Sequence, residues 1–278
     1  MAKVSLCDKQ VFNEFKGYAS LLFGFIGSIV IFVDIPADQK IAAGGACVIV
    51  LIIGYLWLWC RANNLREITL TVEESTVIIK TGDIFEQEGL KAIAFNEYFD
   101  TQVDERIIAE ASLNGKFIRE YLSCTVSELD DYINNYRFDA DEIKEVNTER
   151  AEGKKQKFEI GTICVYGEYI LTALSKFDSY NNAHLTMPEY LAFLINFWDK
   201  VNRVYAQKSV SVPIFGSGLT RIKGHKVIDE QDLLKIMLWT FRISEMRFKY
   251  PAKLTIMIHE GKIDKVNLLE LKTARNGL

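Results

Sequence analysis

Two apolar stretches near the start leave this chain few options. Tyr18 to Val33 runs sixteen residues without a charged side chain, and Ile41 to Cys60 runs twenty. A helix needs about 20 apolar residues to cross the hydrocarbon core of a bilayer. The second stretch meets that length. The first meets it by extending toward Phe12 and Phe15, or by sitting where the bilayer is thinned. Between them, Asp34-Ile35-Pro36-Ala37-Asp38-Gln39-Lys40 is polar and contains proline, the composition of a turn. Tyr55, Trp57 and Trp59 cluster at one end of the second stretch, as an interfacial aromatic belt does. The pattern predicts a transmembrane helical hairpin over residues 1–62, with spans at about 18–33 and 41–60.

A cleaved signal peptide fits poorly. The leader holds Asp8 and Glu14, no small-x-small cleavage pattern is evident, and a second apolar run follows at once. Lys3, Lys9 and Lys16 precede the first run and Arg61 and Arg66 follow the second, whereas the connecting loop has Asp34, Asp38 and Lys40. The positive-inside rule then puts both termini in the cytoplasm. Gly24, Gly27, Gly44 and Gly45 allow close helix approach, which fits self-association and equally fits the ordinary glycine content of membrane helices.

Residues 63–278 carry a different pattern and are expected to form one α/β domain. The net charge of −4 shows no basic excess, so a nucleic-acid partner is not expected. Five scattered cysteines without a CxxC pair argue for reduced thiols and against a cysteine zinc site. Three widely separated histidines give no metal-ligand spacing. Strands are expected at Ile68–Val72, Val77–Lys80, Leu90–Phe95, Gly161–Val165, Tyr169–Ser175, Ser209–Val212 and Lys253–Ile258. Asp104–Tyr121 reads as a helix with Thr101 and Asp104 before it as caps. Ser127–Lys157 is acidic and then basic, and reads as a surface insertion with one short helix.

Thr186-Met187-Pro188-Glu189 has the residues of a helix start: Thr at the cap, Pro in the first turn and Glu three residues on. Leu191, Leu194, Ile195, Trp198, Val201 and Tyr205 then recur at helical spacing as a buried face. Asp229 is placed to cap a second helix through Phe241, and Asn267–Lys272 reads as a last helical turn. Strands separated by helices imply a mixed sheet with helices on both faces. Between the two helices lies Ser209-Val210-Ser211-Val212-Pro213-Ile214-Phe215-Gly216-Ser217-Gly218-Leu219-Thr220-Arg221. It reads as a strand that Pro213 ends, then a Gly-Ser-Gly turn. Such a turn gathers backbone N–H groups into one concavity, which is how backbone holds phosphate, and read alone it equally fits a plain strand-to-loop turn.

In order along the chain, Val77-Ile78-Ile79-Lys80-Thr81-Gly82-Asp83-Ile84, Ala92-Ile93-Ala94-Phe95-Asn96 and Pro213-Ile214-Phe215-Gly216-Ser217-Gly218-Leu219 resemble the strand and loop steps of a macro domain, the fold that binds ADP-ribose. Asn96-Glu97-Tyr98-Phe99-Asp100-Thr101, Ser112–Ile118, Ile160-Gly161-Thr162 and Gly216–Arg221, behind a membrane hairpin, resemble a divergent macro-like branch. That branch supplies the effector of type II Thoeris anti-phage systems.

The resemblance implies a macro-like ligand domain that binds an ADP-ribose conjugate, such as histidine–ADP-ribose. A partner TIR-domain enzyme makes this signal from NAD. It also implies homo-oligomerisation on activation and disruption of the inner membrane lipid. Asp83 and Ile84 would take the adenine end. Asn96, Phe99, Asp100 and Thr101 would line the first loop by the distal ribose. Gly216, Ser217, Gly218 and Leu219 would wrap the diphosphate through their backbone N–H groups, Arg221 would add charge to the phosphates, and Phe215 and Thr220 would belong to the same ligand-binding loop. No cofactor or metal is implied. No Ser-His-Asp set or Cys-His pair is evident, so a ligand-gated effector is expected rather than an enzyme. A membrane-anchored ADP-ribosylhydrolase and an inert anchoring module stay as alternatives.

Overall fold

The computed structural model describes residues 3–32, 36–178, 180–218, 221–223 and 228–274, with the backbone alone for Arg221 and Lys223. Helix α1 spans Lys9–Val30 and α2 spans Lys40–Asn63. Asp8 starts α1, its Oδ1 accepting from the N–H groups of Gln10 at 2.8 Å and Val11 at 3.3 Å. Such a cap satisfies two of the amides that a helix start leaves without partners.

Among the described residues, α2 is the one helix long and apolar enough to cross a membrane. This narrows the expectation of two spans. Lys9, Glu14 and Lys16 occupy the first turns of α1, and the helix closes at Val30 before the apolar run ends. The two helices meet at their domain-proximal ends, not along a sealed interface. Val4, Val11, Leu58 and Ala62 form a small core there with Leu269, from the far end of the chain.

The globular part is built on one mixed sheet. Its strands, in chain order, are β1 (Glu67–Val72), β2 (Ser75–Thr81), β3 (Leu90–Asn96), and β4 (Ile143–Val146) and β5 (Gln156–Phe158), which pair apart as a hairpin. Then come β6 (Ile163–Tyr166), β7 (Tyr169–Phe177), β8 (Ala183–Thr186), β9 (Val210–Pro213), β10 (Arg221–Lys223) and β11 (Leu254–Ile258). The main sheet runs β1-β2-β11-β9-β3-β7-β8-β10, and β6 shares the outer edge of β7 with β8. Strands β2, β11, β9, β3 and β7 are mutually parallel. Parallel strands covered on both faces should be apolar on both, and β11 is buried at every residue.

Each face has its own core. Helices α5 (Met187–Val204) and α6 (Glu230–Ile243) and the terminal α7 (Leu268–Thr273) cover one face. Trp198, Phe197 and Phe241 fill it, each 0% exposed. Burying a side chain of this size stabilises the fold by roughly 1.5–3 kcal/mol. The buried stripe of α5 is Tyr190, Phe193, Leu194, Phe197, Trp198 and Val201. It is turned slightly from the expected one, leaving Ile195 exposed, because Phe193 and Phe197 both pack on Phe215.

The other face is aromatic. Phe95, Phe99, Phe117 and Phe158 pack there under α4 (Val126–Asn135). The acidic insertion therefore contains its one short helix and also the β4–β5 hairpin. The helix expected over Asp104–Tyr121 is shorter: α3 covers Leu113–Lys116 and continues as one wide turn to Tyr121. Asp104 is the reason. Its Oδ1 accepts from Arg106 N at 3.0 Å and Ile107 N at 2.8 Å, holding a local turn that competes with helix. Ser112, not Thr101, caps α3, accepting from Gly115 N at 3.1 Å.

Candidate functional site

The parallel strands β2, β11, β9 and β3 end together, and a cleft opens beyond their carboxyl ends. In open α/β sheets, ligands bind at that edge. Two cavities adjoin there at Leu113 and Pro213, of about 190 Å³ and about 490 Å³. The larger lies beyond β2 and β11 and is lined by Gly82, Asp83, Ile84, His259 and Glu260. The smaller lies beyond β3, β7 and β9 and is lined by Asn96, Ser112, Ser175 and Phe215 to Gly218.

At the larger cavity, Gly82 turns the chain with φ 143°, a backbone that side chains disfavour. Asp83 follows on the surface. Its Oδ1 accepts from Phe85 N at 2.9 Å, which fixes the carboxylate at the cavity rim. Ile84 lies beneath, 4% exposed. Phe85 stacks on Tyr121 with ring centroids 3.8 Å apart and planes 5° from parallel, adding a flat apolar wall. Nothing in the local pattern marks Tyr121, because its partner lies on another element.

The first loop is folded onto itself. Asn96 Oδ1 accepts from Tyr98 N at 2.9 Å and Asp100 N at 3.3 Å, while its Nδ2 donates to Asp100 Oδ2 at 2.9 Å. Asn96 borders the smaller cavity, but Phe99, Asp100 and Thr101 do not. Phe99 is fully buried, 5.2 Å from the Phe158 ring. Thr101 Oγ1 donates to Asp130 Oδ1 at 2.7 Å. Asp100 is 1% exposed and receives four donors: Arg150 Nη1 at 3.1 Å, Arg150 Nη2 at 2.7 Å, Lys154 N at 2.7 Å and Asn96 Nδ2. A carboxylate so engaged holds the loop and is badly placed to take a proton from a substrate water.

Arg150 is invisible in the sequence because it sits in a charged stretch fifty residues from Asp100. Its guanidinium also lies 3.9 Å over the Tyr98 ring and donates to Asn181 Oδ1 at 3.0 Å. One side chain from the insertion thus joins three loops.

The glycine turn is held differently. Tyr190 OH donates to the Phe215 carbonyl at 2.8 Å, and Ser217 N donates to the Ile214 carbonyl at 3.2 Å. Burial pushes the Tyr190 hydroxyl well above its usual pKa, so it stays a donor. The Phe215 ring is locked between Phe193 and Phe197, each centroid 5.0 Å away. Gly216 has φ 81°, where a side chain is strained, and a Cβ at Gly218 would meet open space. The turn therefore presents backbone to the cavity. Leu219 and Thr220 lie outside the described residues, and Arg221 opens the backbone of β10 beside β8.

The smaller cavity is walled by neutral groups and backbone, and the larger has the carboxylates of Asp83, Glu86 and Glu260, the Lys116 ammonium, the His259 imidazole and the aromatic stack near it. An elongated ligand with a base at one end and polar oxygens further along fits this division.

A family model, Thoeris protein ThsA, Macro domain, matches residues 77–259. The chain is 38% identical over 263 residues to the Thoeris protein ThsA of Bacillus amyloliquefaciens (strain Y2), across 91% of this chain and 86% of that protein. Among solved structures, the Oceanobacillus iheyensis macrodomain with ADP is similar at 13% identity and a TM-score of 0.45, covering 74% of this chain and 94% of that one. The same macrodomain with MES bound gives 12% identity and a TM-score of 0.46, over 73% and 94%.

Proposed function

The chain belongs to the Thoeris ThsA macro-domain family, and from that premise we propose that it is an anti-phage defence effector gated by an ADP-ribose-type nucleotide. The ligand is an NAD-derived conjugate, such as histidine–ADP-ribose, made by a partner TIR-domain enzyme. Its adenine sits by Asp83 and Ile84, its diphosphate lies along Gly216 to Gly218, and its distal ribose approaches Asn96. Binding then drives self-association of the N-terminal helices and disruption of the inner membrane.

One observation carries the reading. A cleft of the macro family shares its chain with an apolar helix, α2, whose base packs into the same body through Leu58, Ala62 and Leu269. A nucleotide can bias an assembly only through different affinities for its two states. A shared core between cleft domain and helix base is the means for that difference. Binding rather than hydrolysis is supported by the engagement of the nearby carboxylates. Asp100 holds four donors, and Glu97 Oε1 accepts from Phe177 N at 3.1 Å.

Purified full-length protein in nanodiscs or liposomes tests this. ADP-ribose and its histidine conjugate should bind by calorimetry, raise the oligomer size and release entrapped dye. Binding without assembly or leakage leaves an ADP-ribose receptor and removes the effector role. Release of free ADP-ribose from the conjugate makes the protein a hydrolase.

A further inference from the structure

The cleft and the base of the N-terminal helices are joined by one short segment, Glu260–Lys265 with Val266 and Asn267 after it. Its first residue, with His259, lines the larger cavity. Its last contact is with the cap of α1. Between them, Lys262 reaches back to the glycine turn and donates from Nζ to the Ser217 carbonyl. We propose that Lys262 is the cation that answers a diphosphate bound at the glycine turn, and that its segment passes occupancy of the cleft to the base of α1. The inference rests on the nucleotide reading above and adds a residue and a route.

The charge arrangement permits Lys262 to change partners. Glu230 is 7% exposed and holds two ammonium groups, Lys262 at 3.3 Å and Lys265 at 3.2 Å. A buried carboxylate that loses its sole partner is strongly destabilised. Here Lys262 can leave and Lys265 still neutralises Glu230. Lys262 also sits on a neutral carbonyl, and a phosphate oxygen is the stronger acceptor for an ammonium. An anion at the turn therefore outcompetes Ser217 without stranding a buried charge.

The consequence falls on the hairpin side. When Lys262 turns to the ligand, Glu230 pulls on Lys265 alone, beside Val266 and Asn267. Val266 is 0% exposed in the main core, so the segment pivots on a fixed point. Asn267 caps α7, its Oδ1 accepting from Glu270 N at 3.2 Å, and its Nδ2 donates to Asp8 Oδ2 at 3.3 Å. Asp8 is the cap of α1. One side chain thus ties the starts of both helices, and Leu269 in α7 packs on Val4 and Val11 next to them.

The test uses the full chain in nanodiscs, with ADP-ribose as the probe. Calorimetry gives affinity at several salt concentrations, and hydrogen exchange reads residues 3–12 with and without ligand. Lys262→Met should weaken ADP-ribose about ten- to hundredfold, the worth of a charge-assisted hydrogen bond, and flatten the salt dependence. Lys262→Arg should recover most of the affinity. At saturating ADP-ribose the wild type should change exchange over residues 3–12 and Lys262→Met should not. Thermal melting within a few degrees of wild type shows that the half-exposed site tolerates the change. Wild-type affinity and salt dependence in Lys262→Met overturn the inference alone, as does an unaltered exchange response in that variant. A wild type that binds no ADP-ribose overturns the nucleotide reading and this inference with it.

Discussion

Two of the loops that border the smaller cavity solve opposite problems. Asn96 to Thr101 is closed by side chains: Asn96, Asp100 and Thr101 spend their polar atoms on one another, on Arg150 and on Asp130. Pro213 to Gly218 is closed from behind, by the Tyr190 hydroxyl and the Phe193 and Phe197 rings, and shows the cavity mostly backbone. The first loop is a fixed wall whose polar residues serve the wall. The second is a surface for a ligand to use, supported by a helix. A carboxylate or threonine near a cleft is thus not a ligand contact by virtue of its type. What matters is whether its hydrogen-bonding capacity is already taken.

The largest expected effect breaks the fixed wall. Arg150→Met leaves Asp100 buried with its charge uncompensated. Loss of one partner of a buried pair costs about 3–5 kcal/mol. For a domain of this size that is a fall in Tm of roughly 6–20 °C. Differential scanning calorimetry reads it. An Asp100→Asn, Arg150→Met double variant should lose less than the sum of the two single changes, because the orphaned charge is gone. A single variant that melts like the wild type would mean that the first loop is not held by this pair, and the contrast between the loops would fail.

How much of the molecule is legible in its sequence depends on the range of the interactions. The capping box at Thr186 and Glu189 and the Asp229 cap are readable, because each is settled within four residues. The end of β9 at Pro213 is readable for the same reason. The helix expected over Asp104–Tyr121 falls short because Asp104 has a local alternative to helix. Gly115 adds a close approach within the segment, since a Cβ would meet the Ala109 carbonyl oxygen at 2.3 Å. Arg150, Tyr121 and Lys262 are hidden because their partners Asp100, Phe85 and Ser217 lie far off in sequence. The order of the motifs locates the cleft. It does not separate residues that face the cleft from residues that build it.

The next effect tests the supported surface. Tyr190→Phe removes the donor on the Phe215 carbonyl and keeps the ring. An unsatisfied buried acceptor costs about 1–3 kcal/mol. The change should also weaken ADP-ribose severalfold by loosening the turn. Calorimetric melting and titration on the same sample separate the two. A loss of stability with full affinity would show that the turn keeps its shape without Tyr190.

The smallest effect probes how that helix is itself held, and it depends on pH. Glu189 lies one residue before Tyr190. Burial alone would push its carboxyl up, but Lys176 Nζ at 2.6 Å and the Thr186 N–H and hydroxyl at 2.7 and 2.8 Å outweigh it and draw the pKa down from 4.5 to about 2. A folded-state pKa below the unfolded one stabilises the fold above the unfolded value, and the gain is lost as pH falls through the folded one. Glu189→Gln keeps an amide oxygen for the capping box and removes the ion pair. With the pair about a third exposed, the difference should be on the order of 1 kcal/mol. In urea titrations the gap between wild type and variant should be full at pH 7, narrow below about pH 4.5, and close near pH 2. ADP-ribose affinity at pH 7 should stay close to wild type, because the hydrogen bond from Tyr190 is untouched. A gap that persists at pH 2 would place the stabilisation in the cap and not in the charge of Lys176.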